Sequence, residues 1–220
     1  MNTFLEGLQV FVSLVFLLFA SWSDLKTREV SNKVWALFAP IGLALTLIQI
    51  FFFDYDLYDA LYWFCVSVGV TSVLAVALFY AGAYGGADAK ALICLSLTLP
   101  FYPTNFINLA SDSPIFPLSV FSNAVILAAL SVVYVFLRNI YWRKRTGKPF
   151  FEGFMEESKG RKLLALLSGY KVKLDRLEES EFSYPLEDVQ VSETGDMKRK
   201  LLVFPKDEER EDIVQRITAA

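Results

Sequence analysis

The chain has 220 residues, of which 55% are hydrophobic and 20% charged, with a formal net charge of −3 and no histidine. This composition is much more apolar than that of an ordinary soluble domain, so it indicates a membrane protein. The absence of histidine excludes Ser/His and Cys/His nucleophile pairs and every His-ligated metal site. Cys65 and Cys94 each stand alone in an apolar segment, as small buried side chains do. We therefore expect no cofactor, no metal and no nucleic-acid partner.

Five apolar runs are long enough to cross the hydrocarbon core as helices, at residues 4–22, 34–53, 57–80, 89–109 and 116–140. Pro100 and Pro103 interrupt the fourth run, so its alternative is a shorter helix that ends near Leu99 and is followed by an irregular outer loop. The first run lacks a basic beginning and carries Glu6, which favours a retained span over a cleaved signal peptide.

The charges divide the chain in two, since 32 of the 45 charged residues follow Trp142. We predict an all-α polytopic membrane bundle over residues 1–142 and a small cytoplasmic α+β region over residues 143–220. Within the second part, the sequence predicts a short amphipathic helix at residues 161–167 and strands at residues 170–177 and 200–204.

Basic residues in the connecting loops predict the orientation. The loops around residues 24–33 and 82–90 contain Lys or Arg, whereas those at residues 54–59 and 104–115 contain neither. Under the positive-inside rule the first two loops are cytoplasmic and the N-terminus lies outside the cell membrane. The basic run at residues 143–148 then also lies in the cytoplasm, as an odd number of spans requires.

Two short polar segments carry the candidate chemistry, because Asp24 lies in one, Asp88 in the other, and both fall on the predicted cytoplasmic side. A charged residue at the end of a membrane span is costly and is usually functional. Two neighbouring carboxyl groups cannot easily both ionise, so one can activate water while the other donates a proton. The pKa values of two coupled carboxyl groups are properties of the pair, so the sequence does not identify which aspartate is the base.

The spacing of these segments resembles that of a known family. The pattern Asp24-x-x-x-Arg28-x-Val30-Ser31-Asn32 is similar to the Asp-x-x-x-Arg-x-Ile-Pro-Asn element of type IV prepilin peptidases. The segment from Gly85 to Asp88 resembles their Gly-x-Gly-Asp signature, with Ala87 in place of the second glycine, as in the archaeal preflagellin peptidases that carry a hydrophobic residue there. The resemblance covers roughly the first 140 residues.

This resemblance implies an intramembrane aspartic endopeptidase that cleaves the short basic leader of preflagellin-like or prepilin-like proteins at the cytoplasmic membrane face. It implies that Asp24 and Asp88 are the catalytic dyad, and that protein substrate and membrane lipid are the partners. Nothing matches the Cys-x-x-Cys domain of the bacterial enzymes, so we expect no methyl transfer. Archaeal relatives end with a sixth span, so we expect either that a final span follows residue 220 or that this member closes its bundle differently.

Residues beside the dyad are the expected substrate-binding or orienting groups. On a continuous helix Arg28 would share a face with Asp24 and orient it, although a lipid-anchoring role is an equal alternative. The two glycines would allow unusual dihedrals and a close approach of substrate, or simply form a turn. Lipid headgroup contact is the simpler role for Lys90, and helix capping is the simpler role for Ser31 or Asn32. The orienting set is Arg28, Gly85, Gly86, Lys90 and Asn32.

The second part of the chain contains an acidic cluster. It could dock a basic leader, although a solvated surface is the commoner explanation. The members of this cluster are Glu178, Glu179, Glu181, Glu187 and Asp188.

Three other functions fit parts of the pattern. A proton-coupled transporter or channel also uses paired carboxylates, but it would place them near the midplane and often shows an internal repeat, which is absent. A non-catalytic membrane anchor for an assembly machine would not need either carboxylate. Signal-peptide-peptidase enzymes share the Gly-x-Gly-Asp element, but their first Asp follows Tyr, whereas Asp24 follows Ser23.

Overall fold

The computed structural model describes residues 2–53, 56–104, 115–154, 157–178, 183–191, 197–202 and 210–218. The chain forms two compact units, Met1–Val125 and Ile126–Ala220. The boundary that the charges predict at residue 142 concerns where the chain leaves the membrane, and it stays a prediction.

Long apolar helices make up the first unit. They are α1 (Asn2–Thr27), α2 (Asn32–Phe53), α3 (Leu57–Tyr80), the shorter α4 (Gly86–Thr98) and the beginning of α5 (Phe116–Thr146), which continues into the second unit. In the described part of the chain, four helices are long and apolar enough to cross a membrane, namely α1, α2, α3 and α5. The predicted class of a helical membrane bundle with a small α+β part is confirmed.

Helix α4 is shorter than the apolar run that predicts it. It has 13 residues, which gives a length of about 20 Å against the roughly 30 Å of a bilayer core. The helix ends at Thr98, two residues before Pro100, so the full span over residues 89–109 is wrong and the alternative ending near Leu99 is confirmed. Ser67 of α3 donates a hydrogen bond of 2.9 Å to the Pro100 carbonyl. Most of the predicted outer loop, residues 105–114, lies outside the described residues.

A tight apolar cluster joins α1, α2 and α4. Its buried members include Ala20 of α1, Trp35 and Phe38 of α2, and Cys94 of α4. Phe38 is fully buried and stacks on Phe16 of α1 with the ring centroids 4.8 Å apart. Because the cluster takes residues from all three helices, it fixes their ends nearest the polar segments of the sequence.

A chain of polar side chains joins the same three helices towards their other end. Gln9 of α1 donates from Nε2 to Thr46 Oγ1 (3.2 Å) and to Gln49 Oε1 (2.9 Å), both on α2. Thr46 in turn donates to the backbone carbonyl of Thr98 at the end of α4 (3.0 Å). Gln9, Thr46 and Thr98 are buried. Unsatisfied polar groups are expensive inside a membrane protein, so these partners specify how the three helices pair.

Gly42 allows α2 and α4 to come this close. A Cβ atom placed on Gly42 would lie 1.8 Å from Thr98 Oγ1 and 3.2 Å from the Thr98 Cα atom. Small residues at helix contacts let backbones approach in the same way in many membrane proteins. The absence of a side chain at Gly42 therefore makes room for the Thr98 side chain between the two helices.

The second unit contains shorter elements. They are α6 (Lys159–Ser168), α7 (Leu174–Glu178), an antiparallel pair of β1 (Glu187–Val191) and β2 (Met197–Leu201), and α8 (Arg210–Thr218). Helix α6 confirms the amphipathic helix predicted at residues 161–167. Glu157 ties the beginning of α6 to β2, since its Oε1 accepts from the Leu201 backbone N–H at 3.0 Å. This hydrogen bond, together with Arg161, holds the pKa of Glu157 below its usual range.

The strand predictions in this unit are only partly right. The strand at residues 170–177 is wrong, since the chain has no regular element up to Lys173 and turns into α7 at Leu174. The alternating apolar residues there, Tyr170, Val172 and Leu174, are all exposed, so the alternation does not reflect a buried sheet face. The strand at residues 200–204 overlaps β2, which ends at Leu201, and residues 203–204 lie outside the described residues.

The acidic cluster is not a uniform solvated surface. Asp188 in β1 is only 1% exposed and forms an ion pair of 3.0 Å with Arg216 of α8. Its charge therefore holds α8 against the strand pair and does not face solvent. Glu179 and Glu181 lie outside the described residues.

Replacing Gly42 with alanine tests the contact between α2 and α4. We expect Gly42→Ala to destabilise the bundle by about 1–3 kcal/mol, since the new methyl group would overlap Thr98. The matched control is Gly69→Ala in α3, where a Cβ meets nothing within 4 Å. Thermal unfolding in detergent measures both variants. Equal stability of Gly42→Ala and Gly69→Ala would show that α2 and α4 do not pack closely at Gly42 and Thr98.

Candidate active site

Asp24 lies in the last turn of α1 and is half-buried. Its backbone carbonyl accepts a hydrogen bond from the Arg28 N–H at 2.8 Å, and Arg28 has a left-handed φ of 56°. This conformation is common where helices end, but it is unusual for a residue other than glycine. The helix thus stops before Arg28, and the expectation of a continuous helix that places Arg28 on the same face as Asp24 is wrong.

The turn that follows Asp24 is held by side-chain hydroxyl groups. Ser23 and Thr27 of α1 both donate to the backbone carbonyl of Glu29, at 2.9 and 3.0 Å. The Ser31 hydroxyl accepts from the Lys33 N–H at 3.4 Å, at the beginning of α2. Of the two capping candidates, Ser31 is the one that contacts the first turn of α2. These contacts fix the backbone on both sides of the turn and so position the end of α1.

Asp88 lies in the first turn of α4 and is exposed. Its Oδ2 accepts a hydrogen bond of 3.2 Å from the Gly85 N–H, and the Gly85 carbonyl accepts from the Ala89 N–H at 3.1 Å. The carboxylate thus folds back over the N-terminal end of the helix, where backbone N–H groups and the helix dipole favour negative charge.

The two glycines before Asp88 do not need unusual dihedrals. Gly85 is extended, with φ −70° and ψ 158°, and Gly86 is the first residue of α4. The glycine with a left-handed φ in this loop is Gly82, at 70°. The expectation of unusual dihedrals at Gly85 and Gly86 is therefore wrong. A side chain on Gly85 would place its Cβ 3.2 Å from Asp88 Oδ2, so the missing side chain leaves room beside the carboxylate.

Lys90 and Asn32 contact each other. The Lys90 ammonium donates a hydrogen bond of 2.7 Å to Asn32 Oδ1, which joins the beginnings of α4 and α2. Both side chains are exposed. The sequence predicted separate roles for them, lipid contact for Lys90 and capping for Asn32. Their pairing adds a polar contact next to the apolar cluster.

The two aspartates lie at the same end of the bundle. Ala20, one turn before Asp24, belongs to the apolar cluster, and so do Ala87 and Ala91 on either side of Asp88. Among the described residues, no hydrogen bond joins the two carboxyl groups. The structure thus brings the two helix ends together but does not record direct contact within the dyad.

Tyr84 is a neighbour of Asp88 that the sequence analysis missed. Burial and the negative charge of Asp88 both raise the pKa of the Tyr84 phenol, burial being the larger cause. The ring also packs against Phe121 of α5, with centroids 5.8 Å apart. A neutral phenol next to a carboxylate is a hydrogen-bond donor available to a substrate. Its position directly before Gly85-Gly86 was the only sequence feature that pointed to it.

The chemistry available here is that of carboxyl groups. Within the described ranges, no group of three or more His, Cys, Asp or Glu residues could hold a metal ion. Two carboxyl groups can divide the roles of general base and general acid between them.

A family model for the type IV leader peptidase family matches residues 11–136, which include both aspartates, the whole of α2, α3 and α4, and parts of α1 and α5. The chain belongs to this family. Among its leader peptidase relatives, the preflagellin peptidase of Methanococcus voltae is 31% identical over 141 residues, which are 59% of this chain and 57% of the relative. The preflagellin peptidase of Methanocaldococcus jannaschii is 31% identical over 137 residues, covering 59% and 56%.

A third relative, the preflagellin peptidase of Methanococcus maripaludis, is 29% identical over 152 residues, or 64% of each chain. The match therefore spans somewhat less than two thirds of each relative's length. No solved structure matches the chain. The resemblance drawn from the two aspartate motifs is confirmed at the level of the family.

A double-mutant cycle tests the contact between Lys90 and Asn32. We expect Lys90→Met and Asn32→Ala to be non-additive in unfolding free energy, with a coupling of about 0.5–1 kcal/mol, since each variant alone removes the same hydrogen bond. The control pairs Lys90→Met with Lys33→Met, which should be additive. Full additivity in the Lys90 and Asn32 cycle would show that the contact does not stabilise the bundle.

Proposed function

We propose that this leader peptidase family member is a membrane aspartic endopeptidase that removes the short basic leader of preflagellin-like or prepilin-like proteins at the cytoplasmic membrane face. The observation that carries the proposal is the common position of Asp24 and Asp88 at one end of the α1, α2 and α4 cluster. The preflagellin peptidases among its relatives indicate the substrate class.

In the proposed reaction, the apolar segment of the substrate lies beside the bundle and its basic leader stays in the cytoplasm. One carboxylate removes a proton from water, which attacks the carbonyl carbon of the scissile bond. The other carboxyl group donates a proton as the tetrahedral intermediate forms, and the leaving amine is protonated when the C–N bond breaks. No covalent intermediate and no methyl transfer are expected.

The surroundings of Asp88 suit this chemistry. The extended backbone at Gly85 leaves space next to the carboxylate, and the Tyr84 phenol can donate to a substrate carbonyl. Arg28, in the turn beside Asp24, and the pair of Lys90 with Asn32 are the proposed orienting groups. The carboxyl groups are not hydrogen-bonded to each other at rest, so we propose that substrate brings them together, as closure does in many enzymes.

The positions of the two aspartates favour a peptidase over a transporter. Asp24 lies three residues before the end of α1, and Asp88 lies two residues after the start of α4. Both are therefore near a membrane surface, where a leader boundary would lie, and not near the bilayer midplane that a proton pathway crosses.

Cleavage of a preflagellin-like substrate in proteoliposomes tests the proposal. We expect Asp24→Asn and Asp88→Asn each to lower the cleavage rate by at least about 100-fold, since each removes one acid–base group. The matched control is Asp59→Asn, which changes an exposed aspartate in the first turn of α3. It should keep the activity of the unmodified chain. Full activity in either folded dyad variant would refute the mechanism.

A further inference from the structure

Helix α6 exposes an apolar face that no other part of the described chain covers. Leu163 and Leu164 are 53% and 49% exposed, on the side of the helix opposite Ala165 and Leu166, which are half-buried. The two leucines are consecutive in the helix, and apolar side chains that are exposed together can form part of a binding surface.

Asn139 of α5 attaches the end of α6 to the membrane-spanning helix. Its Nδ2 donates to the Leu166 carbonyl at 2.9 Å and to the Gly169 carbonyl at 2.7 Å, and Asn139 itself is 2% exposed. Leu166 lies in the last turn of α6, where backbone carbonyls have no partner within the helix, and Gly169 directly follows the helix. The end of α6 therefore lies at the same depth as Asn139.

That depth is the membrane–water interface. Asn139 lies one turn before Arg143, Lys144 and Arg145, the basic residues that end the apolar part of α5. Tyr141 and Trp142 lie between them, and aromatic residues are enriched at this level of membrane proteins. The guanidinium of Arg138 also lies 3.6 Å from the centroid of the Tyr170 ring, directly after α6.

Basic residues dominate α6 and the segment that follows it; Glu157, just before the helix, pairs with Arg161 at 3.3 Å. Residues 158–174 contain no Asp or Glu, and their basic residues are Lys159, Arg161, Lys162, Lys171 and Lys173. Within this segment Tyr170, Val172 and Leu174 are exposed and alternate with the last two lysines. A basic segment that exposes apolar side chains at the interface is typical of binding to anionic lipids.

We propose that α6 and the following residues up to Leu174 lie on the membrane surface, with Leu163 and Leu164 in contact with anionic phospholipid. The bilayer that α5 crosses is continuous with this surface, and the basic residues match its negative charge. The contact holds α6 and the residues that follow it at the membrane. This inference does not rest on the proposed peptidase activity.

Site-directed spin labelling of the full chain in vesicles tests the proposal. The labels are attached at Leu164→Cys in a background carrying Cys65→Ser and Cys94→Ala. Two reference sites are Leu130→Cys, exposed on the apolar part of α5, and Glu211→Cys, exposed on α8. Collision of each label with oxygen, which partitions into lipid, and with a water-soluble nickel chelate reports its surroundings.

In vesicles of phosphatidylcholine and phosphatidylglycerol, we expect an oxygen-to-nickel ratio at position 164 that is several-fold above that at position 211 and approaches that at position 130. In phosphatidylcholine alone, the ratio at position 164 should fall towards that at position 211. A ratio equal to that at position 211 in both kinds of vesicle would overturn the proposal.

Two other results would also overturn it. Low collision with both reagents would mean that protein, such as a second copy of the chain, covers α6. An equally high ratio in both kinds of vesicle would show lipid contact without the selectivity for anionic lipid that the proposal requires.

Discussion

The site depends on the polar contacts from Gln9 through Thr46 to Thr98, which together form the polar core of the bundle. Helix association inside a membrane gains little from the hydrophobic effect, so close packing and hydrogen bonds select which helices pair. Each interhelical hydrogen bond contributes about 0.6 kcal/mol on average, and a helix arrangement that left these buried groups unpaired would be less stable. Gly42 adds specificity, because only its hydrogen atom fits against Thr98.

At the other end of the bundle, the C-terminal end of α1 lies beside the N-terminal end of α4. Helix α1 ends just after Asp24, whereas α4 begins just before Asp88, so two carboxyl groups far apart in sequence lie at one end of one cluster. The Arg28 N–H donates to the Asp24 backbone carbonyl, and the Gly85 N–H donates to the Asp88 carboxylate, so a hydrogen bond holds each aspartate at its helix end. The polar core thus positions groups that it does not contact.

Hydropathy predicted the long helices because a bilayer imposes a minimum length on apolar runs; α3 has the predicted bounds, Leu57–Tyr80. Pro100 similarly pointed to the early end of α4. Pairings between distant side chains were not predictable, since one sequence does not show which helix lies beside which. The contacts of Lys90 with Asn32 and of buried Asp188 with Arg216 are of this kind. The sequence favours a solvated surface for the acidic residues of β1, because it does not show that Arg216 of α8 pairs with Asp188.

Electron–electron distance measurement between two spin labels tests most directly whether the polar core positions the site. The labels replace Leu25 on α1 and Ala83 in the loop before α4, both exposed residues near the aspartates, in a chain without native cysteines. We expect one narrow distance distribution for this chain, and a broader or shifted one when Gln9→Leu and Thr46→Val remove the polar contacts. An identical narrow distribution in both chains would show that the ends of α1 and α4 are held without that core, which would contradict the account.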